Sequence, residues 1–411
     1  MRAGVKLFCL PLCAALGLAQ TPAELLKEPA VRAALEAAKQ NEPATLQLQA
    51  KLCEIPAPPF KETERGREVQ RLFEQLGLRE VRTDRVGNVV GVRPGKSAHP
   101  NVVFSAHLDT VFPEGTRVDV SRQGSVLKAP GIGDDARGLA VMLAVIRALN
   151  EGRVETPGPI TFVADVGEEG LGDLRGMKNL FGESLKGQVD KFVSVDGTGL
   201  GLTDVGVGSL RYRVTFQGPG GHSYGAFGMA NPIQAMGRAI AKIDALDVPS
   251  EPKTTFNVGR VGGGTSVNAI PYEAWMEVDL RSVDPASLKA LDAKFHAALK
   301  QAVEEENHRW NNRGPVTASP ELVGVRPAGQ TPRGSAIVQT ALAVSQALQI
   351  EAPVREGSTD ANVPMNLGIP AITIGGGGAG AGAHSLNETF DPKDSWLGTQ
   401  RALLLAIALA R

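Results

Sequence analysis

The chain carries two hydrophobic rhythms. Residues 22–40 set Ala and Leu at helical spacing among Glu and Lys, which predicts a leading helix. A stiff connector, Ile55-Pro56-Ala57-Pro58-Pro59-Phe60, precedes a second predicted helix over 62–76. Its apolar stripe is Val69, Leu72, Phe73 and Leu76, and Gly77 ends it. Short apolar runs at 86–92, 101–106, 160–166 and 192–195 predict strands. Between two of them, Leu139, Val141, Met142, Val145, Ile146 and Leu149 predict a buried helix over 134–150. Strands alternating with helices predict an α/β fold, a mostly parallel, twisted sheet with helices on both faces.

The period then changes. Residues 210–217 and 274–280 alternate in the manner of half-buried strands, and a long helix fits 285–306. From about 330 the first rhythm returns, with a helix over 334–348, a strand over 370–374 and a closing helix over 394–410. The expected organisation is a catalytic α/β unit made of residues 20–207 and 326–411, interrupted by an inserted α+β lid or dimerisation domain over 208–325. A chain of 411 residues exceeds what one core usually serves, in keeping with two domains. There are no internal repeats, and Gly375 to Gly382 is the only low-complexity run.

The first residues read as a leader. Arg2 and Lys6 are followed by an apolar stretch, Leu7 to Leu18, and by the small-residue site Gly17-Leu18-Ala19. This pattern predicts a signal peptide over 1–19, cleaved after Ala19 and too short to span a membrane. The mature chain is expected to be periplasmic or secreted, with no membrane attachment. Lipidation at Cys13 is disfavoured by the bulky Leu12 before it. Cys9 and Cys13 leave with the leader, so Cys53 remains without an intramolecular disulfide partner. A net charge of −1, three Trp, three Tyr and no basic patch argue against a nucleic-acid partner.

Candidate chemistry gathers where predicted strands end. His107 and Asp109, two apart after the run 101–106, are expected to face the same way. A carboxylate beside a histidine can accept its ring N–H and orient it as a metal ligand. Gly131-Ile132-Gly133-Asp134-Asp135 sets two acids at a helix start, where one Asp ordinarily serves as N-cap. Gly167-Glu168-Glu169-Gly170 follows the run 160–166, Asp196 ends 192–195, and His384 follows the strand over 370–374 and its glycine run. In open α/β sheets, ligands bind beyond the carboxyl ends of the strands. Five such ligands exceed the four of a single structural zinc site. They suit two metals roughly 3.5–4 Å apart, bridged by a carboxylate and sharing a water. A spare carboxylate nearby can take the water's proton.

These motifs resemble the co-catalytic zinc metallopeptidase family that includes aminoacylase, carboxypeptidase G, succinyl-diaminopimelate desuccinylase and the bacterial tripeptidase, peptidase T. The resemblance runs from Pro56-Ala57-Pro58-Pro59 to His384. It implies two Zn2+, with Co2+ or Mn2+ as substitutes, bridged by Asp134. By the family pattern His107 shares one ion with Asp196, and Glu169 and His384 hold the other. Asp109 matches the orienting carboxylate and Glu168 the general base, and the family has a cis peptide where this chain has Asp134–Asp135. His222, in Gly218-Pro219-Gly220-Gly221-His222-Ser223, resembles the lid histidine that family dimers supply across the subunit boundary, which implies a homodimer through the lid. Asn268, in Gly264-Thr265-Ser266-Val267-Asn268, and Arg281, in Asp279-Leu280-Arg281, match lid positions that bind substrate. An arginine there can grip a carboxylate by two hydrogen bonds.

Other readings fit less well. The glycine run lacks the Gly-Lys-Ser/Thr ending of a phosphate-binding loop, and no Gly-x-Ser-x-Gly elbow supports serine hydrolysis. A non-catalytic binding protein would have lost a ligand or Glu168, and none is missing. Asp at 196, with Gly-Glu-Glu-Gly and Val195-Asp196-Gly197, resembles the tripeptidase-like branch. The expected activity is therefore aminopeptidase action on short peptides. Hydrolysis of N-acyl amino acids and carboxypeptidase action are the alternatives within the family.

Overall fold

The computed structural model describes residues 21–411; the leader expected over 1–19 and its expected cleavage after Ala19 lie outside them. Four strands, Ile160–Asp165, Val102–His107, Lys191–Val195 and Ala371–Ile374, lie side by side and parallel at the centre of a nine-stranded sheet. Every residue in them except Lys191 is buried. Alternation along each strand feeds two cores. Val102, Phe104 and Ala106 pack toward the helices Ala136–Glu151 and Trp396–Leu409. Val103, Val163 and Phe192 pack on the opposite side with Met177, Leu180 and Phe181. Antiparallel strands flank this centre, Arg79–Thr83 and Val89–Arg93 on one side and Leu202–Gly206 with Gly329–Gln330 on the other. The sheet is thus mixed at its edges and parallel where the chemistry-bearing strands end.

The helix Ala136–Glu151 is buried on nearly every side because it lies between the sheet and the helices Pro29–Gln40, Glu42–Cys53 and Trp396–Leu409. The single leading helix expected over 22–40 is two, Pro22–Leu25 and Pro29–Gln40, and Glu42–Cys53 follows unforeseen. In each case a proline in the first turn starts a new helix, where its missing N–H has no intrahelical partner to lose. The strand expected over 86–92 begins later, at Val89, because the Asp84 carboxylate takes the N–H groups of Val86, Gly87 and Asn88 into a turn. Cys53 is buried and donates to the Pro130 carbonyl, and burial pushes its thiol up to about 12.

A second, four-stranded antiparallel sheet is ordered Thr254–Gly263, Glu273–Ser282, Gly208–Gln217, Thr317–Arg326. Strict in–out alternation along Glu273–Ser282 turns one face onto the helices Pro232–Asp244 and Pro285–Arg309. This sheet has its own core, centred on Phe216, Met276 and Phe295. The period-two runs locate its two central strands. The edge strands Thr254–Gly263 and Thr317–Arg326 were unforeseen because they are largely exposed and carry no apolar alternation. No helix among the described residues is long and apolar enough to cross a membrane.

One buried cation ties the large unit together. Arg137 donates to the carbonyls of Gly376 and Ser395, at 2.8 and 2.7 Å, and to the Glu42 carboxylate at 2.9 Å. We expect Arg137→Leu to cost about 3–5 kcal/mol, since it strands the buried Glu42 charge. The double variant Arg137→Leu/Glu42→Leu should recover part of that loss. Urea denaturation of the wild type and the two variants measures both effects, and a double variant no better than Arg137→Leu would refute the pairing argument.

Candidate active site

His107 is the last residue of its strand, so Asp109 lies in the loop beyond, and the alternation expected to align the two no longer applies. The His107 ring Nδ1 meets the backbone carbonyl of Asp109 at 3.0 Å, and the Asp109 carboxylate stands farther off, at 3.7 Å. That carboxylate accepts the main-chain N–H groups of Glu168 and Glu169 at 3.0 and 2.8 Å. The Asp109 carbonyl is thus the nearer partner of the ring, and the carboxylate, which still faces the imidazole, also receives the N–H groups of the glutamate pair.

Asp134 stands between the two histidines. One of its oxygens is 2.9 Å from His107 Nε2 and the other 3.1 Å from His384 Nε2. Glu169 Oε1 is 3.0 Å from His384 Nε2, while Asp196 Oδ1 is 4.0 Å from His107 Nε2. Ligand atoms of Asp134, Glu169 and His384 lie within 4.8 Å of one another, as do those of His107, Asp135 and Asp196. This donor set, two imidazoles and three carboxylates with Asp134 facing both halves, fits a pair of divalent ions. Asp135 is otherwise engaged. It caps the helix Ala136–Glu151 through the Gly138 N–H, and it accepts the N–H groups of Gly197 and His107. The Asp134–Asp135 peptide is cis.

The electrostatics follow from burial. Burial drives the His107 ring toward neutrality, yet its contacts with Asp109 and Asp134 outweigh this and hold its pKa well above the ordinary histidine value. His384, between Asp134 and Glu169, is lifted to about 10. Burial, with repulsion from Asp134, raises the Asp196 carboxyl well above the carboxylate range. Burial raises Glu168 to about 7; Glu169 adds to the rise and Arg326 opposes it.

Arg326, the last residue of the strand Thr317–Arg326, was not expected in the site. Its Nη1 donates to Glu168 Oε1 at 2.8 Å and to Ser358 Oγ at 3.1 Å, and its Nη2 donates to the Glu168 carbonyl. Arg211 and Arg281 stand near it: burial lowers Arg211, and the charges of Arg326 and Arg281 lower it further. Arg211 donates to the Gly170 carbonyl, and Arg281 pairs with Asp279. In sequence, Arg326 closes an exposed strand and Arg211 opens a period-two one, so neither is marked. The structure leaves His222 and Asn268 apart from this cluster. Both are exposed, and among the described residues no hydrogen bond joins either to it. The His222 Nδ1 accepts from Tyr224 and Gly225, which leaves Nε2 as the outward donor. Asn268 accepts the Ser266 hydroxyl on its oxygen and keeps its amide N–H groups free to donate.

Fold and site together define a metallo-hydrolase. Residues 103–409 match the pattern of peptidase family M20/M25/M40, and the chain belongs to that family. It is 26% identical over 354 residues to the uncharacterized protein YqjE of Bacillus subtilis, covering 81% of this chain and 90% of YqjE. It is 30% identical over 242 residues to a probable carboxypeptidase of Aspergillus terreus, covering 54% of this chain and about half, 53%, of that relative. A tripeptidase of Staphylococcus aureus superposes with a TM-score of 0.74 at 22% identity, covering 90% of this chain and 99% of its own.

The carboxylates around them raise both histidines, His384 to about 10, and so favour protonated imidazoles in chelator-treated protein, whereas a ligating imidazole must be neutral. Metal uptake should therefore release protons, and apparent affinity should rise with pH up to about 10. Calorimetric titration with Zn2+ in buffers of different ionisation enthalpy tests this; a buffer-independent heat would contradict it.

Proposed function

We propose that this chain is an exported, zinc-dependent exopeptidase of short peptides, tripeptidase-like in removing the first residue. The observation that carries the reading is Glu168. It is a buried carboxyl group held near neutral pKa, beside the His107–Asp134–His384 cluster, and aimed by an arginine and by the N–H contacts of Asp109. In this reading His107, Asp134 and Asp196 hold one ion, and Asp134, Glu169 and His384 the other. Two divalent ions bound there would polarise the scissile carbonyl and activate a water. Glu168 has one oxygen on Arg326 and the other free to accept the water's proton and return it to the departing amine.

His222 and Asn268 present donors, as an oxyanion requires, and in this proposal they reach the carbonyl oxygen from the partner of a homodimer built through the second sheet. Arg326 lies on Glu168, and Arg211, close enough to feel the charges of both Arg326 and Arg281, extends the positive character; in this proposal Arg281 takes a peptide's free carboxylate. A second reading, carboxypeptidase or N-acyl amino acid hydrolysis, is favoured by the fungal relatives named as probable carboxypeptidases. The tripeptidase reading is supported by agreement in fold over nearly the whole of the Staphylococcus enzyme.

The deciding assay gives the zinc-loaded mature protein one unblocked tripeptide and its N-acetylated twin, with a chelator control. Release of the first residue from the unblocked peptide alone is the expected result. Cleavage of the acetylated twin would hand the substrate class to the second reading. Glu168→Ala should keep its metal and lose roughly 10²–10⁴-fold in kcat. His384→Ala should lower metal content instead. Normal turnover by metal-loaded Glu168→Ala would remove Glu168 from the mechanism.

A further inference from the structure

Four residues past His384, Glu388 is buried, and its carboxylate is enclosed by main chain. Oε2 accepts the Gly131 N–H at 2.8 Å, and Oε1 accepts those of Gly133 and Asp134 at 2.8 and 3.0 Å. Among the described residues it has no ion-pair partner, so these N–H groups supply its compensation. The bond runs the other way as well, because the Ala129 N–H donates to the Glu388 carbonyl. Immediately afterwards the strand Thr389–Asp391 pairs with Val126–Lys128. The 129–134 loop is therefore held to the 384–391 segment on both sides.

The loop is shaped around this carboxylate. A Cβ on Gly133 would come 2.9 Å from the Thr198 methyl and 3.0 Å from Glu388 Oε1, and Gly131 turns at a φ of 78° that favours glycine. Between Glu388 and His384 the chain is folded tightly, with the Glu388 N–H on the Ser385 carbonyl and the Ser385 N–H on that of Gly382. Only three residues thus separate the clamp from an imidazole that lies 3.1 Å from Asp134.

We propose that Glu388 is a positioning residue for the metal centre: by gripping the backbone of the 131–134 loop it sets the distance and orientation between the Asp134 carboxylate and His384. The inference rests on the reading of Asp134 and His384 as ligands. A carboxylate is required because three N–H groups fall on two oxygens. A glutamine could serve the Oε1 pair, but its NH2 would face the Gly131 N–H, donor against donor. Asp134, which faces both halves of the donor set, would serve both ions, so a displaced loop would weaken both.

The experiment measures Co2+ and Zn2+ affinity, stoichiometry and the Co2+ absorption spectrum for wild type, Glu388→Gln, Glu388→Asp and Asp134→Ala. Melting temperatures in chelator serve as the fold control. Phe295→Leu, in the core of the second sheet, provides a destabilised protein whose fault lies elsewhere. Glu388→Gln is expected to lose roughly 10–100-fold in metal affinity. It should also show an altered Co2+ spectrum, with Glu388→Asp recovering part of both. Phe295→Leu should melt earlier and bind metal as wild type does. Wild-type affinity and spectrum in Glu388→Gln, with Asp134→Ala losing metal, would overturn the inference alone. Undiminished metal in Asp134→Ala would overturn the ligand reading beneath it. If Glu388→Gln does not fold, Gly133→Ala, whose methyl would press the same loop against both Thr198 and Glu388, is measured against the same two outcomes.

Discussion

Repulsion among buried carboxylates is the constraint on which this structure turns. Asp134, Asp135, Glu168, Glu169 and Asp196 crowd the carboxyl ends of parallel strands, and burial together with mutual charge raises Asp135, Glu168 and Asp196 above their ordinary range. Such a cluster persists only if positive charge or fixed dipoles face it. The protein supplies two histidines, one arginine and a set of main-chain N–H groups, and the remaining deficit is what divalent ions would fill.

The acids divide by what their oxygens face. Asp109, Asp135 and Glu388 spend theirs on backbone N–H groups of the loops that carry the others. Asp134, Glu169 and Asp196 keep theirs toward the histidines. A single chemical group thus performs two tasks, and the surrounding main chain decides which. Loops that would otherwise adapt to solvent are fixed from beneath, so the facing oxygens meet a cation with little reorganisation.

Much of this was legible in the sequence because strand ends advertise themselves. A short apolar run followed by His or an acid reads both as a buried strand and as a residue delivered to its carboxyl end. Hence His107, Glu168, Glu169 and Asp196 could be named before any coordinates. What could not be read depends on contacts between distant segments. Glu388 differs from a surface glutamate only in meeting Gly131 and Gly133, and Arg326 differs from any exposed strand arginine only in reaching Glu168. Asp109 shows a subtler limit: the strand ends two residues earlier, and alternation does not foretell that its carbonyl, nearer the ring than its carboxylate, meets His107. Proline-divided helices and exposed edge strands were missed for a local reason, the absence of an apolar stripe or of alternation.

The contact of Asp134 with His384 joins residues 250 positions apart. The centre is therefore a clasp between the two arms of the α/β unit, closed only after the chain has travelled out through the second sheet and back. Such a loop carries a large closure entropy, and whatever binds across it stabilises the joined arms more than either arm alone. A growing chain still short of residue 384 has one imidazole of the pair and no clasp. The clasp therefore closes late but not last, because the helix Trp396–Leu409 has still to arrive and pack on Pro29–Gln40 and Ala136–Glu151.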